Sequence, residues 1–80
     1  MIVEILTIEE VLFSKEVKSA VVPGKDGRFE VLDNHAPIIS ILKKGIIKVT
    51  DNNNNETSLE ITGGNIEMSN NKVTILANTE

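Results

Sequence analysis

The sequence predicts an all-β fold, a two-layer sandwich or barrel of short strands. Three observations carry that expectation. About nine short runs rich in Val, Ile, Leu and Thr recur along the 80 residues. Turn-forming residues punctuate them, at Pro23-Gly24, Gly27, Asp51 to Asn55, Gly63-Gly64 and Asn70-Asn71. No stretch holds a helical period for longer than a turn.

Residues 2–8 (IVEILTI) read as the first strand. Glu9-Glu10 is polar, and Val11-Leu12-Phe13 follows as a short apolar run. Residues 17–22 alternate loosely, with Val17, Ser19 and Val21 on one face. The stretch PGKDGRFEVLDNHAP, residues 23–37, is the corner of the chain. Pro23-Gly24 reads as a tight turn, because Pro fixes φ and Gly supplies a positive φ. Gly27 resets the chain, and Phe29 and Val31 share one side of a strand from Arg28 to Leu32. Pro37 pushes Ala36 into an extended conformation. Residues 38–42 fit a strand or a helical turn, and a break at Gly45 precedes a strand over 46–50.

DNNNN, residues 51–55, is a loop whose side chains bond back to the backbone. Residues 57–62 alternate with Leu59 and Ile61 inward, so 46–62 reads as a β-hairpin. Gly63-Gly64 turns the chain into Ile66-Glu67-Met68, Asn70-Asn71 makes a two-residue turn, and 73–77 is the last strand. The expected core is Val3, Ile5, Phe13, Val21, Phe29, Val31, Ile39, Ile41, Ile47, Val49, Leu59, Ile61, Ile66, Met68, Val73 and Ile75.

Composition narrows the function. Eighty residues suit one domain, residues 1–80, with a stability of about 4–12 kcal/mol. The net charge of −4 argues against duplex nucleic acid and anionic lipid as direct partners. There is no cysteine, hence no disulfide, thiolate ligand or thiol nucleophile. No run approaches the 18 or so apolar residues of a membrane span, so direct membrane insertion is not expected. With no Trp or Tyr and two Phe, the chain has no stacking platform for sugars or single strands.

His35 is the only histidine, without a second His or a Cys to complete a metal site and without a motif tying it to a nucleophile. It either fixes the corner by hydrogen bonding to a backbone carbonyl or touches a partner. Gly24-Lys25 lacks the spacing of a phosphate loop. Glu9-Glu10, Glu56 and Glu60 read as solvated charges. No catalytic, metal or cofactor site emerges, and the function is expected to lie in contacts with other proteins. A small ligand-binding β-sandwich module is the alternative.

Four stretches then match one family in order. They are Val22-Pro23-Gly24 through Gly27, Val31-Leu32, His35-Ala36-Pro37-Ile38-Ile39-Ser40 and Leu42 to Gly45; Ile5-Leu6-Thr7 with Val11-Leu12-Phe13-Ser14; Ile61-Thr62-Gly63-Gly64 to Glu67; and Val73 to Thr79. Together they resemble the epsilon subunit of F-type ATP synthases over essentially the whole chain. The chain departs from the family pattern at Arg28, where the family has Glu, at Glu30, where it has Gly, and at Asp33-Asn34, where it has Pro-Gly. Asn34 is able to take the positive φ of that Gly.

The resemblance implies a flattened two-layer β-sandwich of about ten short strands. It implies a non-catalytic rotor subunit of the central stalk, peripheral on the cytoplasmic face of a bacterial inner membrane. There it would link the gamma subunit, and through it the catalytic head, to the c-ring, coupling ion translocation to ATP synthesis or hydrolysis. No cofactor is expected. The family's C-terminal helices lie outside this sequence, so their inhibitory and nucleotide-binding roles are not expected of it. By family position, Lys25, Asp26, Arg28, Glu30 and His35 would form a loop facing the c-ring. Exposed apolar residues of one sheet, Val22, Ile38 and Leu42, would face gamma. Pro23, Gly24, Gly27, Asn34, Pro37, Gly45, Gly63 and Gly64 would be structural turns.

Overall fold

The computed structural model describes residues 1–79. Seven strands form one folded sheet: β1 (Ile2–Leu6), β2 (Val11–Glu16), β3 (Ser19–Gly24), β4 (Gly27–Leu32), β5 (Ile38–Thr50), β6 (Glu56–Ser69) and β7 (Lys72–Asn78). Their order is β2-β1-β7-β6-β5-β3-β4. All neighbours are antiparallel except β1 and β7, which run parallel. The all-β sandwich is the observed class, built from seven strands where about ten short ones are expected.

The difference in count lies in β5 and β6. The sequence suggests breaks at Gly45 and at Gly63-Gly64, yet both strands run straight through, with 13 and 14 residues. They pair in one constant register from Ile38 opposite Met68 to Thr50 opposite Glu56. Their first and last halves therefore belong to different layers. One layer is β2-β1-β7 with the C-terminal half of β6 and the N-terminal half of β5. The other is β4-β3 with the remaining halves. The glycines permit the fold-over: Gly64 has φ 153, and a Cβ there would lie 2.3 Å from the Leu76 carbonyl oxygen.

The fold-over also changes which residues face inward. On β5 the more buried side is Ile38, Ser40 and Leu42 before the bend, and Ile47 and Val49 after it. On β6 it is Leu59 and Ile61 before, and Ile66 and Met68 after. Both strands shift phase by one residue at the same place. An unbroken alternation along β5 puts Ile39 and Ile41 in the core; the phase shift turns them out, to 80% and 60% exposure. On β3, Ala20 and Val22 point inward and Val21 is only half-buried. The core consists of Val3, Ile5, Val17, Ala20, Val22, Val31, Leu42, Ile47, Val49, Ile61, Ile66, Met68, Val73 and Ile75, closed by Met1 and Ala77. Phe13, Phe29 and Leu59 pack against its rim.

The corner also differs from its sequence reading. Pro23 and Gly24 lie inside β3, and the turn is Lys25-Asp26 followed by Gly27 at φ 136. Because Pro23 has no N–H, the β3–β5 ladder is interrupted between Val21 and Gly24. Arg28, opposite Pro23 on β4, reaches into this gap and donates from its guanidinium to the Ile46 carbonyl at 2.8 Å.

Candidate functional site

Two loops hold their ends of the sandwich by short polar contacts. Asp51 Oδ1 accepts from the backbone N–H groups of Asn53 at 2.8 Å and Asn55 at 3.0 Å, and its Oδ2 accepts from Lys15 at 3.1 Å. Lys18 donates to the Asn54 side chain. Led by the Asn55 N–H, these bonds favour the ionised carboxylate and lower the Asp51 pKa from 3.8 to about 2. At a second site, Asp33 Oδ1 accepts from the Met1 α-ammonium at 2.6 Å and from Asn71 Nδ2 at 3.0 Å. The ammonium first, and Asn71 second, hold the Asp33 carboxyl below its ordinary range. Asn71 Oδ1 accepts from the Asn34 N–H at 2.8 Å, so one asparagine joins the β6–β7 turn to the chain after β4.

These bonds are structural, and the described residues contain no cluster of three His, Cys, Asp or Glu able to hold a metal. His35 is exposed; its Nδ1 lies 2.7 Å from the Ala36 carbonyl oxygen and its backbone N–H donates to Leu32 at 3.1 Å.

The residues expected to face the c-ring are all exposed but do not form one loop. Strand β4 runs through the middle of the segment. Lys25 and Asp26 sit in the turn before it, Arg28 and Glu30 on its outer side, and His35 beyond its far end. Five strand steps, about 17 Å, separate the two ends. Of the residues expected to form an exposed gamma face, Val22 is 0% and Leu42 2% exposed. They belong to the core, and Ile38 is half-buried against it. Leu42 shares the inward side of the first half of β5 with Ile38 and Ser40.

The exposed apolar residues lie one position away. Register places Ile41, Asn65, Leu76 and Leu6 side by side across β5, β6, β7 and β1, and Leu6 lies beside Val11 of β2. Ile39 stands one row below on β5, and Ile8, 90% exposed, caps the turn between β1 and β2. An apolar stripe, interrupted by Asn65 on β6, thus runs across the outer face of this layer, and such a patch marks an interaction surface. The outer face of the other layer carries Arg28, Glu30, Lys48, Glu56 and Glu60, and its exposed Leu32 and Ile46 are kept apart by the Glu30-Val21-Lys48 row. The one available signal in the sequence is on β6, where Leu59 and Ile61 change phase against Ile66 and Met68.

Comparison with known proteins agrees with this architecture. The family model of the ATP synthase delta/epsilon chain β-sandwich domain matches residues 1–80. The ATP synthase epsilon chain of Campylobacter curvus is 46% identical over 74 residues, covering 92% of this chain and 57% of that protein. The epsilon chain of Chlorobium limicola is 38% identical over 73 residues, covering 91% of this chain and 83% of that protein. A chain in the Euglena gracilis mitochondrial ATP synthase, solved with its OSCP, F1 and c-ring parts, superposes with a TM-score of 0.90. Its 22% identity, over 96% of this chain and 49% of that one, speaks for the fold. A chain of the central stalk and c-ring of the Tetrahymena thermophila mitochondrial enzyme does the same at a TM-score of 0.79 and 13% identity, covering 96% and 62%. With a sandwich of this topology and a family match along its full length, the chain belongs to the ATP synthase delta/epsilon chain family, as its β-sandwich domain.

Proposed function

We propose that this chain is a non-catalytic rotor element of the central stalk, holding the gamma subunit to the c-ring on the cytoplasmic face of a bacterial membrane. The observation that carries the reading is the one-sided stripe ending in Ile39 and Ile41. A rotor coupling needs a stiff body with separate contacts for two partners. Stiffness is supplied by the aliphatic core and by two strands shared between layers. The apolar stripe fits gamma, and the Lys25-Asp26 turn with Arg28 and Glu30 is the surface assigned to the c-ring. Coupling of ion translocation to ATP synthesis or hydrolysis follows from that position: torque passes through the domain without chemistry in it.

The experiment is to mix the chain with purified gamma subunit and size the product. A one-to-one complex supports the reading. Two folded proteins that elute separately overturn it. For the second face, Arg28→Glu is expected to weaken c-ring binding and to change its salt dependence; unchanged binding removes Arg28 from that surface.

A further inference from the structure

We infer that the outer face of the β2-β1-β7-β6-β5 layer seats one amphipathic helix of the partner chain. The helix lies across the five strands, with its N-terminus at the Thr7–Glu10 turn and its C-terminus beside Lys43. The inference rests on the reading that this face meets gamma, and adds the form, length and direction of what binds.

The stripe selects a helix by its direction. An added strand would align with an edge, whereas the row from Ile41 through Leu76 and Leu6 to Val11 runs perpendicular to the strands. Four strand spacings of about 4.8 Å make a seat of about 19 Å, the length of about 13 helical residues. A helix about 10 Å wide covers that row and the one below it, where Ile39, Glu67, Thr74 and Glu4 stand side by side. Its apolar side meets the isoleucines and leucines. The flank over Glu67 and Glu4 is expected to carry Lys or Arg.

The direction follows from charge. Glu9 and Glu10 stand at one end of the stripe, beside Ile8. At the other end Lys43 shares the outward side of β5 with Ile41, while Lys25 and Asp26, which both border the hollow formed by Ile39, Ser40, Ile41 and Asn65, offset each other. A helix presents partial positive charge at its N-terminus and partial negative charge at its C-terminus, so acids favour the first and lysines the second. Ile8 is held ready at the acidic end. The Thr7 hydroxyl accepts from the N–H groups of Glu9 at 3.2 Å and Glu10 at 3.1 Å, and the Thr7 N–H donates to the Glu10 carbonyl at 2.9 Å. With its backbone already restricted, Ile8 loses little freedom on entering a pocket. A second copy of this chain offers no helix among its described residues.

The absence of cysteine makes single-cysteine variants clean reporters. Ile8→Cys and Ile39→Cys are each mixed with gamma carrying one cysteine at successive positions along its helices, then oxidised. Both are expected to cross-link to a single helix, Ile8→Cys toward its N-terminus, with the preferred positions roughly ten residues apart. Ile8→Asp is expected to raise the Kd for gamma about 10-fold or more, and Glu9→Lys with Glu10→Lys to raise it most at low salt. Ser58→Asp, on the opposite face, leaves it unchanged. The inference is overturned if the complex forms normally but the cross-links reverse in order, fall on different helices or fall outside helices. A homodimer that Ile8→Asp dissolves, with gamma binding intact, overturns it as well. Failure to form any complex with gamma removes the broader reading and this inference together.

Discussion

Pro23 and Gly45 meet across β3 and β5 with no room for another carbon. A Cβ on Gly45 would lie 2.7 Å from the Pro23 Cβ and 3.1 Å from its Cγ. The contact sits where the ladder between the two strands is interrupted and Arg28 bridges to Ile46. Gly45→Ala is therefore expected to cost about 1–3 kcal/mol through overpacking, read as a lower urea midpoint. Because the clash is with the Cβ itself, Pro23→Ala should not relieve it, while Pro23→Gly should. A double-mutant cycle showing equal coupling for both replacements contradicts this account.

Alternation along the first half of β5 places Ile39 and Leu42 on opposite faces. Leu42→Ala empties a core position and is expected to cost about 2–5 kcal/mol. Ile39→Ala, three residues earlier in the sequence and 80% exposed, should change stability by no more than about 0.5 kcal/mol. Chemical denaturation of the two variants decides the matter. Similar losses from both would mean that Ile39 is packed in solution.

Asn70 and Asn71 take φ values of 51° and 59° between the paired ends Ser69 and Lys72. That is the turn with positive φ at both central positions, which asparagine and glycine tolerate. Asn70→Ala is expected to lower stability by about 1–2 kcal/mol, whereas Asn70→Gly should be close to neutral. The measurement is the thermal midpoint of each. Equal effects would show that the Asn70 side chain, rather than its backbone, matters.

Acid should loosen the end of the sandwich that holds the DNNNN loop. The Asp51 carboxyl has a pKa of about 2 in the folded chain against 3.8 ordinarily, so the unfolded chain takes up its proton first as pH falls. The stability this supplies is present above 3.8 and is lost as pH falls toward about 2. Asp33 is also lowered and acts in the same direction. Unfolding midpoints followed from about pH 5 to about pH 2 should fall steeply for the parent chain and less for Asp51→Asn. Parallel curves would remove Asp51 from the explanation.

Much of this fold is legible in single residues, and the exceptions share a cause. Val3 and Ile5, and Val73 and Ile75, alternate within short strands, and the period of two places them in the core, as it does Ile61 on the first half of β6. Ile39 and Ile41 alternate just as cleanly and lie outside, because β5 changes phase at the fold-over and alternation is a local signal. Leu42 lies inside because it shares the inward side of β5 with Ile38 and Ser40, and Val22 because β3 turns Ala20 and Val22, not Val21, toward the core. Only pairing with β6, a contact between distant residues, shows that Ser40 lies opposite the buried Ile66. Arg28 is another such case: its tie to Ile46 depends on a gap in a ladder that no spacing records. The charged residues from Lys25 to His35 are visible as a cluster in sequence, but β4 holds their ends apart.

The parallel pairing of β1 with β7 has a consequence for the order of events at the ribosome. β1 lies between β2 and β7, and Val3 and Ile5 stand opposite Val73 and Ile75 in the same core. Strand β1 leaves the exit tunnel well before β7 and thus waits for it before its second edge is paired. During that interval the β3–β4 and β5–β6 hairpins can zip from their own turns, since their contacts are local. Closure of the long loop between β1 and β7 comes afterwards, and it is the step that denies the exposed edge of β1 to other nascent chains.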